Sequence, residues 1–303
     1  MKLPPFDYAC PDTVEEVLDL LGEHGDEAKL IAGGQSLVPL LAMRLARPAL
    51  LVDLGGVAGL DGIDDRGPFV AFGAMTRERT AERSKLVAER VPVLAEALPF
   101  IGHVSIRNRG TIGGSIAHAD AAAELPAVAL VTGAEMVVRS RRGERVVPAD
   151  AFFVSHYTTD LADDECLVSV RVPVTAAGAG WALHEIAPRH GDFALVGVAA
   201  MVDLGGDGDG TIDEARICLF GVADRPVRAE AAEAALVGAR PTLDDVAAAA
   251  AEAVRDLQPG SDMHGSAAYR RHLAEVAVRR ALTTAARRAA AGPGAAPGPG
   301  GPA

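Results

Sequence analysis

Cysteine is scarce: among 303 residues only Cys10, Cys166 and Cys218 occur, far apart and odd in number. That spacing offers neither a disulfide framework nor a CxxC redox pair, so the chain reads as reduced and cytoplasmic. Three scattered thiols also fall short of the four ligands a two-iron cluster normally takes, so no electron relay through a cluster of its own is expected. Basic charge is short too. Lys and Arg number 29 against 41 Asp and Glu, a net charge of -12, which argues against bulk attraction to nucleic acid or anionic lipid but leaves room for a local anion pocket. Nowhere do eighteen apolar residues run without a charge, which excludes a membrane-spanning helix. Pro4, Pro5 and Asp7 interrupt the stretch where an export signal needs apolar continuity, so none is expected. The eight histidines show neither HExxH nor clustered ligand spacing, and no metal site is expected. Ser36 and Ser115 sit outside any GxSxG context and lack Asp and His partners, so no catalytic nucleophile is assigned. The acidic turn 203–210 lacks the glutamate that closes a calcium loop.

What the chain does have is apolar bulk, 49% of its residues, enough for two or three compact units. Val14, Val17, Leu18 and Leu21 recur at helical spacing after Asp12, with Gly22 and Gly25 as stops, and predict a helix over 13–21. A strand at 29–31, a helix at 37–45 and a buried strand at 49–54 complete a strand, glycine turn, helix, strand unit. Further on, a strand at 69–72, helices at 76–87, 91–98 and 121–131, a hairpin over 135–147 and a strand at 167–172 alternate without a simple order, which indicates an α+β fold. A Gly and Ala linker at 175–180 marks a boundary. Beyond it come strands at 181–186, 194–204 and 212–220 and three Ala-rich helices near 228–237, 243–257 and 269–290. The resulting division is 1–60, 61–175 and 176–290, with a Gly, Pro and Ala tail over 291–303 that is expected to be disordered.

Two glycine-dense turns stand out. Ala32, Gly33, Gly34, Gln35 and Ser36 sit where a strand hands over to a helix that opens at Leu37, a place where free amides can seat a phosphate. The pattern is neither GxGxxG nor a P-loop, and an ordinary tight βα turn explains it as well. Gly110, Thr111, Ile112, Gly113, Gly114 and Ser115 form the second, preceded by Arg107 and Arg109 and followed by a helix-compatible run with Asp120 and Glu124. Two such turns can clamp one diphosphate through main-chain N–H groups, which suits an acidic chain.

Taken together, AGGQS at 32–36, IRNRGTIGGSIAHAD at 106–120 and HEIAPRHGDFALVGVAA at 184–200 resemble the FAD-binding medium subunit of molybdenum hydroxylases. That group includes the flavin subunit of aerobic carbon monoxide dehydrogenase and the central flavin domain of xanthine dehydrogenase. The resemblance covers 1–285 with the motifs in family order. It implies a bipartite FAD-binding region of the vanillyl-alcohol oxidase (PCMH-type) superfamily, then a C-terminal α+β domain with a small antiparallel sheet and helices. It also implies that Ala32 to Leu37 and Thr111 to Ser115 hold the FAD diphosphate, and that Glu124, with Asp120 nearby, serves the ribityl or adenosine part. Phe193 falls where relatives place a side chain against the isoalloxazine; an ordinary core phenylalanine is the alternative. Ala187 stands where some relatives carry lysine, with Arg189 and His190 as candidate replacements, and Ala121 where proline is common.

By the same resemblance the cofactor is noncovalent FAD, while [2Fe-2S] clusters and molybdopterin belong to separate partners. Those partners are an iron-sulfur small subunit and a molybdopterin large subunit, in a heterotrimer or doubled heterohexamer. Electrons from the clusters then pass through FAD to an external acceptor, with no catalytic acid or base required of this chain. A self-contained flavin oxidase or reductase acting on a small molecule, and a noncatalytic assembly subunit, are the competing readings. The charged faces of the C-terminal helices, with Arg270, Arg271, Glu275, Arg279 and Arg280, are either solvated surface or a docking face.

Overall fold

The computed structural model describes residues 2–205 and 210–292; the glycine-rich tail beyond 292 and the middle of the acidic turn at 203–210 lie outside the described residues. The first unit is a parallel sheet of β1 (Asp7–Ala9), β2 (Ala28–Ile31) and β3 (Leu50–Asp53) in the order β1-β3-β2. Parallel neighbours need crossovers, and α1 (Val14–His24) and α2 (Leu37–Ala42) supply them. Helix α1 starts at Thr13, whose side chain accepts the Glu16 amide while the Glu16 carboxylate accepts the Thr13 amide, a reciprocal capping box. Its buried face is Val14, Val17, Leu18 and Leu21, as the spacing requires. Helix α2 stops at Ala42, short of the expected 45, because Arg44 turns into the left-handed region at φ 61°. Strand β1 carries no sequence signal: three largely exposed residues with prolines nearby have no alternation to read.

The middle unit is an antiparallel sheet built from β4 (Ile63–Asp65), β5 (Phe69–Gly73), β6 (Glu135–Ser140), β7 (Gly143–Pro148) and β10 (Cys166–Pro173), in the order β4-β5-β10-β6-β7. A small pair, β8 (Phe153–Ser155) and β9 (Thr158–Thr159), follows the short helix α9 (Ala149–Phe152). The helix expected over 76–87 is two helices, α3 (Glu78–Glu82) and α4 (Lys85–Arg90), because the Ser84 hydroxyl accepts the Val87 amide and starts a new helix there. Next come α5 (Pro92–Ala97), α6 (Val104–Arg107), α7 (Ile112–His118) and α8 (Glu124–Thr132). Every residue of α8 is buried, so it has no polar face to present to water.

The C-terminal unit is an antiparallel sheet, β11 (Ala179–Ile186), β12 (Val196–Asp203), β13 (Glu214–Phe220) and β14 (Val227–Arg228) in sequence order, with α10 (Glu230–Leu236), α11 (Leu243–Ala253) and α12 (Ala267–Ala291). Period-two alternation splits its side chains cleanly. Leu183, Ala199, Cys218 and Phe220 join the same core as α8 and the middle sheet, whereas Ala182, Val198, Ile217 and Leu219 pack with the three C-terminal helices. Burying both faces of the C-terminal sheet makes the middle and C-terminal units share one core rather than hang from a hinge. No described helix is long and apolar enough to cross a membrane.

Candidate functional site

The two glycine segments, far apart in sequence, touch through their backbones. A side chain on Gly33 would overlap the carbonyl oxygen of Arg109 and come within 2.9 Å of the Gly110 Cα, so only glycine permits this approach. Ala32 meets Gly114 from the same side. The contact is reinforced by an isolated bridge between Arg77 and Thr111 and by a hydrogen bond from the Arg77 guanidinium to the Arg109 carbonyl.

A cleft of about 350 Å³ opens over this junction, lined by Ile31, Ala32, Gly33, Gly34, Gln35, Val38, Pro39, Asp53, Gly55, Arg77 and Arg109. In the first segment the earliest amide with a protein partner is that of Val38, which donates to the Gly34 carbonyl at 3.1 Å; the amides of Gly33, Gly34, Gln35, Ser36 and Leu37 donate to no described group. Gly34 takes φ +73°, and the Gln35 side-chain amide is folded back onto the Gly33 carbonyl at 3.1 Å. Ser36 makes no capping bond, leaving its hydroxyl available.

The second segment is built the other way round. Thr111 caps α7 by accepting the Gly114 amide at 3.0 Å, Ile112 donates to Thr76 and Gly113 to Ala74, each at 2.9 Å, and Ser115 donates to the Thr111 carbonyl. Its amides are therefore spent inside the protein. Gly113 is a packing glycine: a Cβ there would lie 2.5 Å from the Ala74 side chain and 2.6 Å from its Cα.

Behind this segment lie the buried carboxyls of Glu78 and Glu124, with half-buried Glu185 beside Glu124. Glu78 donates its amide to the Gly110 carbonyl at 3.0 Å, and its side chain lies so close to Gly110 that a Cβ there would overlap it. Burial, then the charge of Glu124, pushes the Glu78 carboxyl up to about 8. Glu124, first residue of α8, is raised chiefly by burial, and Glu185 is raised by burial and by its hydrogen-bonded neighbour Glu124. Arg107 faces them but is committed elsewhere, to both oxygens of Glu82 at 2.9 and 3.2 Å and to the carbonyls of Ile101 and Gly102. Asp120 shapes the turn before α8 by accepting the Ala122 amide at 2.9 Å and the Tyr157 hydroxyl at 3.3 Å. Ala121 ties this turn to the C-terminal unit, its carbonyl accepting the Gly221 amide at 2.8 Å.

Phe193 is 69% exposed, which sets aside the reading of an ordinary core phenylalanine. It follows Gly191, which packs against His103, and His190, whose ring meets Phe100 edge-on at 6.3 Å. Arg189 is exposed and pairs with Asp192 at 2.9 Å, and Ala187 opens this loop beyond β11. The sequence thus pointed to the first segment, but Arg77, Asp53, Glu78 and Glu185 escaped it. Glu185 had a readable signal, a charge two residues from Leu183 on the inward face of an apolar strand. Arg77 had none, because a bridge to a residue far along the chain creates its position.

A family model described as the FAD binding domain in molybdopterin dehydrogenase matches residues 4–175, and one described as the CO dehydrogenase flavoprotein C-terminal domain matches 181–285. The chain is 45% identical to the 6-hydroxypseudooxynicotine dehydrogenase complex subunit alpha of Paenarthrobacter nicotinovorans, covering 95% of this chain and 97% of that one. It is 40% identical to the carbon monoxide dehydrogenase medium chain of Hydrogenophaga pseudoflava, over 93% of this chain and 97% of that one. Among solved structures, carbon monoxide dehydrogenase from Hydrogenophaga pseudoflava, in a form lacking the Mo-pyranopterin moiety of the molybdenum cofactor, superimposes with a TM-score of 0.92 at 43% identity, over 95% of this chain and 99% of that one. A cradle that a single Cβ would fill, beside five unengaged amides and two arginines, fits the diphosphate of FAD. The chain belongs to the FAD-binding medium subunits of the molybdenum hydroxylases, and is the flavoprotein component of an oxidoreductase.

Proposed function

We propose that this chain receives electrons from [2Fe-2S] clusters of a small partner subunit and delivers them to an external acceptor, substrate being oxidised in a large molybdopterin subunit. The assembly is a heterotrimer or a doubled heterohexamer in the cytoplasm. FAD, when bound, supplies the chemistry of accepting electrons singly and releasing them in pairs. The observation that carries the reading is the backbone junction of Gly33 with Arg109 and Gly110, beside which the Gly33–Leu37 amides have no described protein partner.

These amides, with Arg77 and Arg109, hold the diphosphate noncovalently, in a bipartite seat of the vanillyl-alcohol oxidase type. The Thr111–Ser115 segment acts mainly as the wall against which the first segment is set, with the Ser115 hydroxyl as its direct contact. Glu124, buried and neighbouring Glu185, serves the ribityl or adenosine part of the cofactor, and exposed Phe193 offers a face for the isoalloxazine. No general acid or base of this chain acts on the substrate of the complex. Copurification tests the reading: the chain expressed with its neighbouring subunits is expected to elute with acid-extractable FAD and to lose flavin colour when a molybdenum-site substrate is added. Turnover of a small molecule by the isolated chain would replace this reading with a self-contained oxidase.

A further inference from the structure

Among the described residues that line the cleft, Asp53 carries the one carboxylate, beside the two arginines Arg77 and Arg109. A seat for phosphate alone has no use for it, because a carboxylate repels the anion that the arginines and amides attract. Its place follows from the parallel sheet. Asp53 ends β3 in direct register with Ile31, the last residue of β2, and the glycine segment leaves β2 immediately afterwards. Neighbouring strands lie about 4.8 Å apart, so Asp53 and the Gly33–Gln35 turn share the carboxyl-terminal edge of the sheet, the edge at which open parallel sheets take their ligands.

The carboxylate is held in one orientation. Its Oδ1 accepts the Gly55 amide at 2.7 Å, and its Oδ2 accepts the Tyr8 hydroxyl at 2.6 Å, from β1 on the other side of β3. An ionised carboxylate accepts at about four positions, so each oxygen keeps one for a ligand. The bond to Gly55 closes a turn, a task that asparagine performs as well; the Tyr8 hydroxyl fixes the second oxygen. Apolar Ile31, Val38 and Pro39 complete the lining. The cleft therefore offers amides and cations, one charged hydrogen-bond acceptor and an apolar edge. An adenosine diphosphate group presents the matching set: a diphosphate, two ribose hydroxyls that donate, and a flat base.

We propose that Asp53 accepts hydrogen bonds from the ribose hydroxyls of the adenosine half of the cofactor, with Tyr8 as its positioning residue, and so makes the cleft selective for an adenosine diphosphate group with an unmodified ribose. The inference rests on the reading of the cleft as the FAD seat and names which half of FAD lies there. With the adenosine ribose at Asp53, the ribityl part falls to Glu124. The same negative charge turns away a ribose that carries a phosphate.

Calorimetric titrations of the FAD-free chain with ADP, 2′,3′-dideoxy-ADP and inorganic pyrophosphate test the assignment in the parent, Asp53→Asn, Asp53→Ala and Tyr8→Phe, each checked for folding by circular dichroism. The parent is expected to bind ADP at least about tenfold more tightly than the dideoxy analogue, since hydrogen bonds to a charged acceptor are the strong kind. That ratio should fall to about one in Asp53→Ala and part of the way in Asp53→Asn and Tyr8→Phe. Pyrophosphate should bind Asp53→Asn at least as tightly as the parent, because a repulsion has been removed. A parent ratio near one, a ratio that survives in Asp53→Ala, or FAD that binds the parent without being displaced by ADP overturns the assignment. Equal weakening of ADP and pyrophosphate in Asp53→Asn also overturns it, by reducing Asp53 to a prop of the cleft. A folded parent that binds neither ADP nor FAD removes the cofactor reading itself, so the two failures are distinguishable.

Discussion

The segments at 32–37 and 110–115 are alike in composition and opposite in use. In the first, five successive amides have no described protein partner, and three of their residues, Gly33, Gly34 and Gln35, line a cleft. In the second, the amides are spent on Thr76, Ala74 and Thr111, and the glycines let backbone press against backbone. Glycine density by itself therefore says that something comes close, and only the partner of each N–H says whether it is a ligand or the protein itself.

Breaking the packing segment should do the greatest harm to the fold. Gly113→Val places side-chain atoms into Ala74 where backbone cannot yield, and is expected to cost about 3 kcal/mol or more, read as a lowered denaturant midpoint of the FAD-free chain. Thr111→Val removes the cap of α7 and strands the Gly114 amide, at about 1 kcal/mol by the same measurement. Arg109→Ala acts on the cleft alone: its side chain is exposed, so stability should hold while FAD affinity drops several-fold and becomes less sensitive to salt, measured by fluorescence titration. If Gly113→Val weakened FAD binding without touching stability, the contrast between the two segments would be wrong.

Much of the fold was legible because it is local. The apolar spacing of the helix over 13–21, the hairpin over 135–147 and the strands β11 to β13 can each be read within a dozen residues. The break at Ser84 was missed because the apolar spacing runs on through it while a single hydroxyl decides the helix start. In the site, Gly33, Gly34 and Ser36 were legible as a strand-to-helix glycine turn. That the amides of 112 and 113 donate to Thr76 and Ala74 was not legible, since these bonds depend on how β5 and its following turn pack against α7. The same long-range packing sets the Glu78 carboxyl against Gly110, a contact that the spacing of the two residues along the chain does not announce.

The most direct test of the account is an equilibrium titration of FAD into the flavin-free chain, parent beside Gly33→Val, with circular dichroism to establish that both are folded. The expected result is one acid-extractable FAD per parent chain and a loss of affinity of at least about a hundredfold in the variant, because a side chain at 33 pushes the two segments apart and turns the free amides away from the diphosphate. Equal affinity in a folded Gly33→Val chain would contradict the account, and would move the diphosphate away from this junction.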